Sequence, residues 1–355
     1  MILIPRSAIL IAGIVGIGIV ASPALAQLPS YELVEIPRLA GPSIGGAATG
    51  INDLEQVTGF SNGQVFLWTE QDGTIDLQLG LTSAPGVETG TPRFARINSA
   101  SDVVAYIEAS GQEFIPYLLS GGEFQRLEPV SGTAGSQAFD INDSGIVVGS
   151  AFNFFGDQPG AIWRSPTSDP IAIDAVLTIR AISDTTFITG RTVGDTAFLA
   201  EPGNARILPV PAEFETAVGR DVDDLGRVVG EVERPETSGG NPVTLSRPYV
   251  WNPDGTSAEL PLPADAPIGF FVEVNAANEE GIVVGNARQI VFDPDSFGLI
   301  WNLESGETDE LDDLVVNLAG RSIEDAHDIN DDGTIAVTIE LSNGDRTPGI
   351  LRSLR

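Results

Sequence analysis

Short apolar runs separated by polar turns recur along this chain at a regular interval, and that recurrence predicts its architecture. Ile51-Asn52-Asp53, Ile97-Asn98-Ser99, Ile141-Asn142-Asp143, Ile182-Ser183-Asp184, Val222-Asp223-Asp224, Ala277-Asn278-Glu279 and Ile329-Asn330-Asp331 each open one copy of a pattern. Six intervals span the 278 residues from Asn52 to Asn330, about 46 residues per repeat, the size of a propeller blade. In the third copy, residues 138–141 read as a strand and Asn142-Asp143-Ser144-Gly145 as a turn. Asn and Asp hydrogen-bond nearby backbone there, and Gly accepts the positive φ of a tight reversal. Residues 146–149 start a second strand, 160–163 make a third and 170–174 a fourth. Four short antiparallel strands per repeat predict a β-propeller, because a β-solenoid coil repeats at about half that length or less.

The third strand recurs as faithfully as the turn. It reads Val65-Phe66-Leu67-Trp68 in the first copy, Gly160-Ala161-Ile162-Trp163 in the third and Gly298-Leu299-Ile300-Trp301 in the sixth. All four tryptophans, Trp251 included, stand in this one register. Equivalent placement in successive blades predicts packing between neighbouring sheets, where Trp buries most area. The chain ends predict how the ring closes. The seventh copy stops after its third strand, and an orphan strand at residues 31–36 precedes the first copy. Adding that orphan as the outer strand of the last blade removes two free edges at once. The expected fold is all-β, a seven-bladed propeller in a single domain covering residues 27–355.

The first 26 residues read as an export signal. Arg6 is followed by an apolar run of 14 residues, Ala8 to Ala21, and by Ala24-Leu25-Ala26 as a small-x-small cleavage pattern. Nothing after residue 26 is apolar for long enough to span a bilayer, so no membrane insertion is expected once the leader is cut. With no cysteine, disulfides, thiolate catalysis and Cys-based zinc sites are excluded. Fifty acids stand against 18 bases, all of them arginine, for a net charge of −32. That balance argues against a nucleic-acid surface, which needs a basic footprint. It also predicts a self-repelling, salt-tolerant exterior.

An exported chain with tandem I-N-D-x-G-x-V-V-G units, each followed by an apolar strand, resembles the HAF family of extracellular repeat proteins. The resemblance runs from about Ala47 to Leu351 and is most specific at residues 141–149, 277–285 and 329–337. The family's name-giving His-Ala-Phe is replaced here by Gln64-Val65-Phe66 or Thr196-Ala197-Phe198. Membership implies an exported repeat protein and supplies no catalytic residues.

Several groups of residues could carry chemistry. Asp328, Asn330 and Asp332 with Gly333 match the first half of a calcium loop, but Ile339 stands where its bidentate acid is required. An Asx-rich turn is the simpler reading, with calcium the alternative. Arg180 and Arg220 precede their turns by three residues on inner strands and could grip an anion in a central channel. Arg96 stands only two residues before its turn, so strict alternation points it the other way. The lone histidine, His327, has no partner for a triad and reads as solvated or capping.

Loops offer the remaining candidates. The span from turn residue to the end of the third strand is 16 in the first copy and 28 in the fifth. The surplus, Glu233 to Arg247, reads as a polar loop on the face opposite the Asn-Asp turns. Arg288 with Asp293 and Asp295, and Phe152, Phe154 and Phe155, fall in further connections on that face. Insertions on one face often build the binding face of a repeat protein. The expected function is therefore a monomeric, non-catalytic binding module, periplasmic or secreted, for a glycan or protein ligand. A propeller hydrolase or lyase acting on polysaccharide is the alternative, and a structural surface component is another.

Overall fold

In a computed structural model the chain is described from residue 27 to 354, except 42–43, 111–112, 153–157, 239–240, 264–269 and 290–295. The export signal at residues 1–26 lies outside the described residues, as do Phe154, Phe155, Asp293 and Asp295. Seven four-stranded antiparallel sheets form a seven-bladed propeller. The inner strands are Gly46–Ile51, Gly90–Ile97, Gly135–Ile141, Val176–Ile182, Thr216–Val222, Phe270–Ala277 and Ser322–Ile329. Each lies against the inner strands of both neighbours, and the seventh against the first, so the ring is closed. The one helix among the described residues is a single turn, Leu311–Leu314. No helix there is long and apolar enough to cross a membrane.

Closure is made by the N-terminal strand Tyr31–Glu35, which pairs antiparallel with the last strand, Arg346–Ser353, from Tyr31↔Ser353 to Glu35↔Gly349. Its other edge is also occupied. The Leu33 amide donates to Asn317 Oδ1 (2.7 Å) and Asn317 Nδ2 donates back to the Leu33 carbonyl (3.0 Å). An outer strand that would otherwise offer free backbone groups is thus satisfied on both sides.

The core is divided among the spaces between blades. Val104 and Leu118 of blade two pack with Ala138, Ile141, Val147 and Trp163 of blade three. Ala336 and Ile350 of blade seven pack with Ala48, Val57 and Trp68 of blade one. Three tryptophans also fasten their blade to the chain entering from the one before. The indole nitrogens of Trp163, Trp251 and Trp301 donate to the carbonyls of Glu128 (2.7 Å), Pro209 (2.8 Å) and Pro261 (2.7 Å). This satisfies the one polar atom of an otherwise buried ring.

The inner strands depart from simple alternation. Six blades carry a β-bulge three residues before the turn residue, at Thr49, Phe139, Arg180, Arg220, Asn275 and His327. A bulge inserts one residue and re-aims its neighbours. It also explains the glycine that ends most V-V-G segments. A Cβ on Gly149 would sit 1.9 Å from the Gln137 carbonyl oxygen, and one on Gly230 2.0 Å from that of Val218. In blade two this position is Ala105, and there the bulge is displaced to Arg93. Gly149→Ala is accordingly expected to cost about 1–3 kcal/mol, the usual penalty of overpacking, measured by denaturant unfolding.

Residues expected in three loops lie in strands instead. Residues Glu233 to Arg247 belong to a hairpin of two 11-residue strands, Val228–Ser238 and Asn241–Trp251, with Glu233 opposite Ser246 and Arg247 opposite Val232. The polar, proline-bearing sequence resembles a loop because much of this extension is solvated. Phe152 closes the strand Val147–Phe152, and Arg288 lies within Ile282–Gln289.

Candidate ligand site in the central channel

Each turn residue has two tasks. Its side-chain oxygen accepts the backbone N–H four residues on, as in Asn142 Oδ1 with Ile146 (3.0 Å) and Asn330 Oδ1 with Thr334 (2.8 Å). Its amide nitrogen donates to the next blade. Asn52 donates to the Asn98 carbonyl (2.9 Å), Asn98 to Asn142 (3.1 Å), Asn142 to Ser183 (3.1 Å), Asn278 to Asn330 (3.2 Å) and Asn330 to Asn52 (3.1 Å). The two blades without Asn replace the lost donor. In blade four, Thr185 Oγ1 beside Ser183 donates to the Asp224 carbonyl (3.0 Å). In blade five, Arg227 pairs with Asp223 (2.8 Å) and donates to the Asn278 carbonyl (3.4 Å).

The following residue forms a second ring. Carboxylates of Asp143, Asp184, Asp224, Glu279, Asp331 and Asp53 each accept a backbone N–H from the preceding blade, at 2.7–3.1 Å. The lower mouth of the channel is therefore acidic and structurally committed. The candidate calcium residues share that commitment. Asp328 binds the Ile51 amide (2.9 Å) and Arg96 (2.9 Å), and Asn330 joins the amide ring. Asp332 is exposed, and no group of three or more His, Asp or Glu among the described residues is placed to hold a metal.

Above that mouth lies a cavity of about 220 Å³ lined by Arg96, Asp140, Arg180, Arg220, Asp221, Asn275 and Asp328, together with the turn residues. Arg96 thus faces the channel, contrary to the alternation argument, because in most of the other blades the bulge shifts the phase of the inner strand. It donates to the carbonyls of Thr49 and His327 and pairs with Asp328. Arg220 pairs with Glu231 (2.8 Å) and Glu273 (3.0 Å). Asp140 holds the amides of Ile141 and Ile182, and Asp221 those of Val222 and Ala277. His327 is no surface residue. It sits at a bulge in the channel wall, its Nε2 2.8 Å from Thr338 Oγ1.

The upper mouth, on the face opposite the turns, opens into a larger cavity of about 530 Å³ between blades six, seven and one. Asn275 lines both cavities. The inner strand of blade seven carries a second bulge, at Glu324, which accounts for two consecutive acids standing beside this space. Glu324 is clamped by Arg346 through both of its oxygens. A polar chain runs from Asn275 Nδ2 to Asn286 Oδ1 (3.3 Å), from Asn286 Nδ2 to Ser296 Oγ (3.2 Å), and from Ser296 Oγ to Asp325 Oδ1 (3.3 Å). Glu273 lies in the same lining and helps burial raise the Asp325 carboxyl above the usual range. Phe60 and the exposed Ile44 supply an apolar flank. Arg288 stacks on Phe271 (4.8 Å) at the rim, 3.9 Å from Glu273.

Of the residues singled out in the sequence, Arg180 and Arg220 come together in the channel and Arg288 joins the upper mouth. Phe152 instead packs edge-on to Phe114 (4.9 Å), at the end of an aromatic cluster that includes Tyr106, Phe94 and Phe139. Glu233 lies 3.6 Å from Arg191, and Arg247 3.7 Å from Glu259. Sequence reasoning missed Glu273, Asp325, Asn286 and Ser296. The available signal was Glu324-Asp325, two acids in succession on a strand expected to alternate.

Burial pushes several channel carboxyls toward neutrality, Asp140 and Glu231 to about 7 and Asp328 to about 6, while His327 is pushed down to about 4. Between pH 4 and 7 the folded carboxyls hold protons that the unfolded chain has released, so their contribution is lost as pH rises through 6 to 7. His327 opposes them, since the unfolded imidazole protonates near 6.5, but it is one group against three. At fixed ionic strength the melting temperature is expected to be several degrees higher at pH 5 than at pH 8. A thermal scan showing the reverse would refute this charge assignment.

No protein-family model and no curated protein sequence matches the chain. Solved structures share its architecture. The extracellular domain of a one component system from B. thetaiotaomicron aligns at a TM-score of 0.53 and 9% identity, over 91% of this chain and 39% of its own. A protein described as TolB, from Agrobacterium tumefaciens, aligns at 0.44 and 10%, over 93% of this chain and 100% of its own. YCF48 bound to a D1 peptide aligns at 0.49 and 13%, over 94% and 97%. At these identities the likeness is one of fold, and propellers host many functions.

Proposed function

We propose that this is an exported, non-catalytic repeat protein of the HAF type, and that it binds a glycan at the upper mouth of its channel. The observation that carries this reading is the composition of the 530 Å³ cavity. Amides, a hydroxyl and carboxylates converge there, their hydrogen-bond chain ends on Asp325, and Phe60 with Ile44 offers an apolar face. Sugar hydroxyls donate to carboxylates while the C–H faces of the ring pack on apolar surface, and a concave site with few convergent polar groups suits that chemistry. The signal-like residues 1–26 support export, with the periplasm or the medium as destination.

The test is a glycan array probed with residues 27–355, wild type beside Asp325→Asn. The expected result is a restricted set of glycans whose signal falls at least tenfold in the variant, and a blank array would refute the reading. A second reading, glycoside cleavage, is favoured by Glu273 and Asp325 sharing one cavity with the Asp325 proton held up by burial. Release of reducing ends from an array-positive glycan would decide for it.

A further inference from the structure

Arg180 is an anomaly among the arginines of this protein. Thirteen of the arginines in the described residues have a carboxylate within 4 Å. Of the three that do not, Arg164 and Arg206 are exposed to water. Arg180 projects from a bulge of the inner strand Val176–Ile182 into the 220 Å³ channel cavity. One face of its guanidinium lies 4.5 Å from the centre of the Phe139 ring. Its Nε is buried with no hydrogen-bond partner, and among the described residues Arg180 has no ion-pair partner.

A guanidinium has five N–H donors, and withdrawing even part of it from water without a counter-charge is costly; Arg180 is half-buried. This chain has 50 acids from which to supply one. The nearby carboxylates are instead turned to other work. Asp140 and Asp221 each hold two backbone amides, and Glu231 and Glu273 are drawn to Arg220. Arg220 adds a like charge, which with burial lowers the Arg180 pKa to about 10, still cationic at neutral pH.

We propose that Arg180 is the anion-holding residue of a second ligand site, inside the channel, for the carboxylate of a small organic acid. A carboxylate matches the guanidinium fork through two parallel hydrogen bonds. One uncompensated positive charge calls for one negative charge, and the acids lining the cavity disfavour a dianion such as sulfate. The volume equals that of about seven liquid waters at ~30 Å³ each, enough for acetate or benzoate and too small for a polymer. Phe139 already covers one guanidinium face, so the ligand is received at the edge of the fork. This site shares only Asn275 with the Asp325 chain, and it goes beyond the upper-mouth reading.

The experiment is thermal shift and titration calorimetry on residues 27–355 at fixed ionic strength and pH 6, with acetate, benzoate, glycine, chloride and sulfate as probes. At least one of the three carboxylates is expected to raise the melting temperature by several degrees, while chloride and sulfate do not. Glycine exceeding acetate would support the site and identify a zwitterion, its ammonium facing the acidic ring of the channel mouth. Arg180→Met should fold, melt above the unliganded wild type because a half-buried lone charge is gone, and lose the carboxylate response. Arg180→Lys should keep the charge and retain only a weakened response. No carboxylate response in the wild type, an undiminished response in Arg180→Met, or an equal response to chloride would each overturn the proposal. Glycan binding is read separately with Asp325→Asn, so failure of either site is distinguishable from failure of the other.

Discussion

Deleting residues 27–36 is expected to prevent the propeller from folding, or to leave a protein that unfolds below physiological temperature and aggregates. Tyr31, Leu33 and Ile36 are 0%, 4% and 0% exposed. Burying three such side chains is worth roughly 1.5–3 kcal/mol each, or about 5–9 kcal/mol together. A whole domain has a net stability of only about 5–15 kcal/mol. The deletion also exposes the backbone edge of Arg346–Ser353 and strands Asn317. A free, flat edge of this kind invites pairing with another copy. Circular dichroism and light scattering on the truncated chain check both parts. A monomeric truncated protein with unchanged melting would show that the ring closes by another route.

Trp251→Ala is expected to cost roughly 4–8 kcal/mol and to lower the melting temperature by ten degrees or more. Removing a buried Trp costs about 3–5 kcal/mol through the cavity it leaves, and Trp251 is 2% exposed. A further 1–3 kcal/mol comes from the Pro209 carbonyl, which loses the indole donor that reaches across the blade boundary. Trp251→Phe separates the terms, since it restores much of the volume and none of the hydrogen bond. Denaturant unfolding of the three proteins should therefore rank wild type, Phe, then Ala. A Trp251→Ala protein within 1 kcal/mol of wild type would contradict the assignment of the third-strand tryptophans to blade packing.

These two positions were legible without coordinates because both express periodicity. The orphan strand at 31–36 and the missing fourth strand of the last repeat could be matched by counting, and the tryptophans shared one register. The channel was less legible, and the bulges are the reason. Alternation assigns Arg96 and Arg220 to opposite faces, yet both line one cavity because the inserted residue changes the phase of most inner strands. The turn asparagines were readable as turn formers from their type. Their second hydrogen bond, to the next blade, is a tertiary contact that no local pattern contains.

The upper mouth was hidden for a related reason. Glu273, Asn286, Ser296 and Asp325 come from three strands of blade six and one of blade seven, and no segment holds more than one of them. The long insertion of blade five drew attention as a loop, whereas its proline-bearing strands pair over 11 residues. Pro235 and Pro242 read as strand breakers, but an extension with solvated faces tolerates them as a central strand would not.

Hydrogen exchange on residues 27–355, with and without a glycan from the array, most directly tests the claim that the upper mouth is the ligand site. Protection is predicted in the segments around 273–275, 286–288 and 322–327, with the Asn-Asp turns of the lower mouth unchanged, and it should vanish in Asp325→Asn. Protection confined to the lower turns or to the outer strands would contradict that claim and place the ligand elsewhere on the propeller.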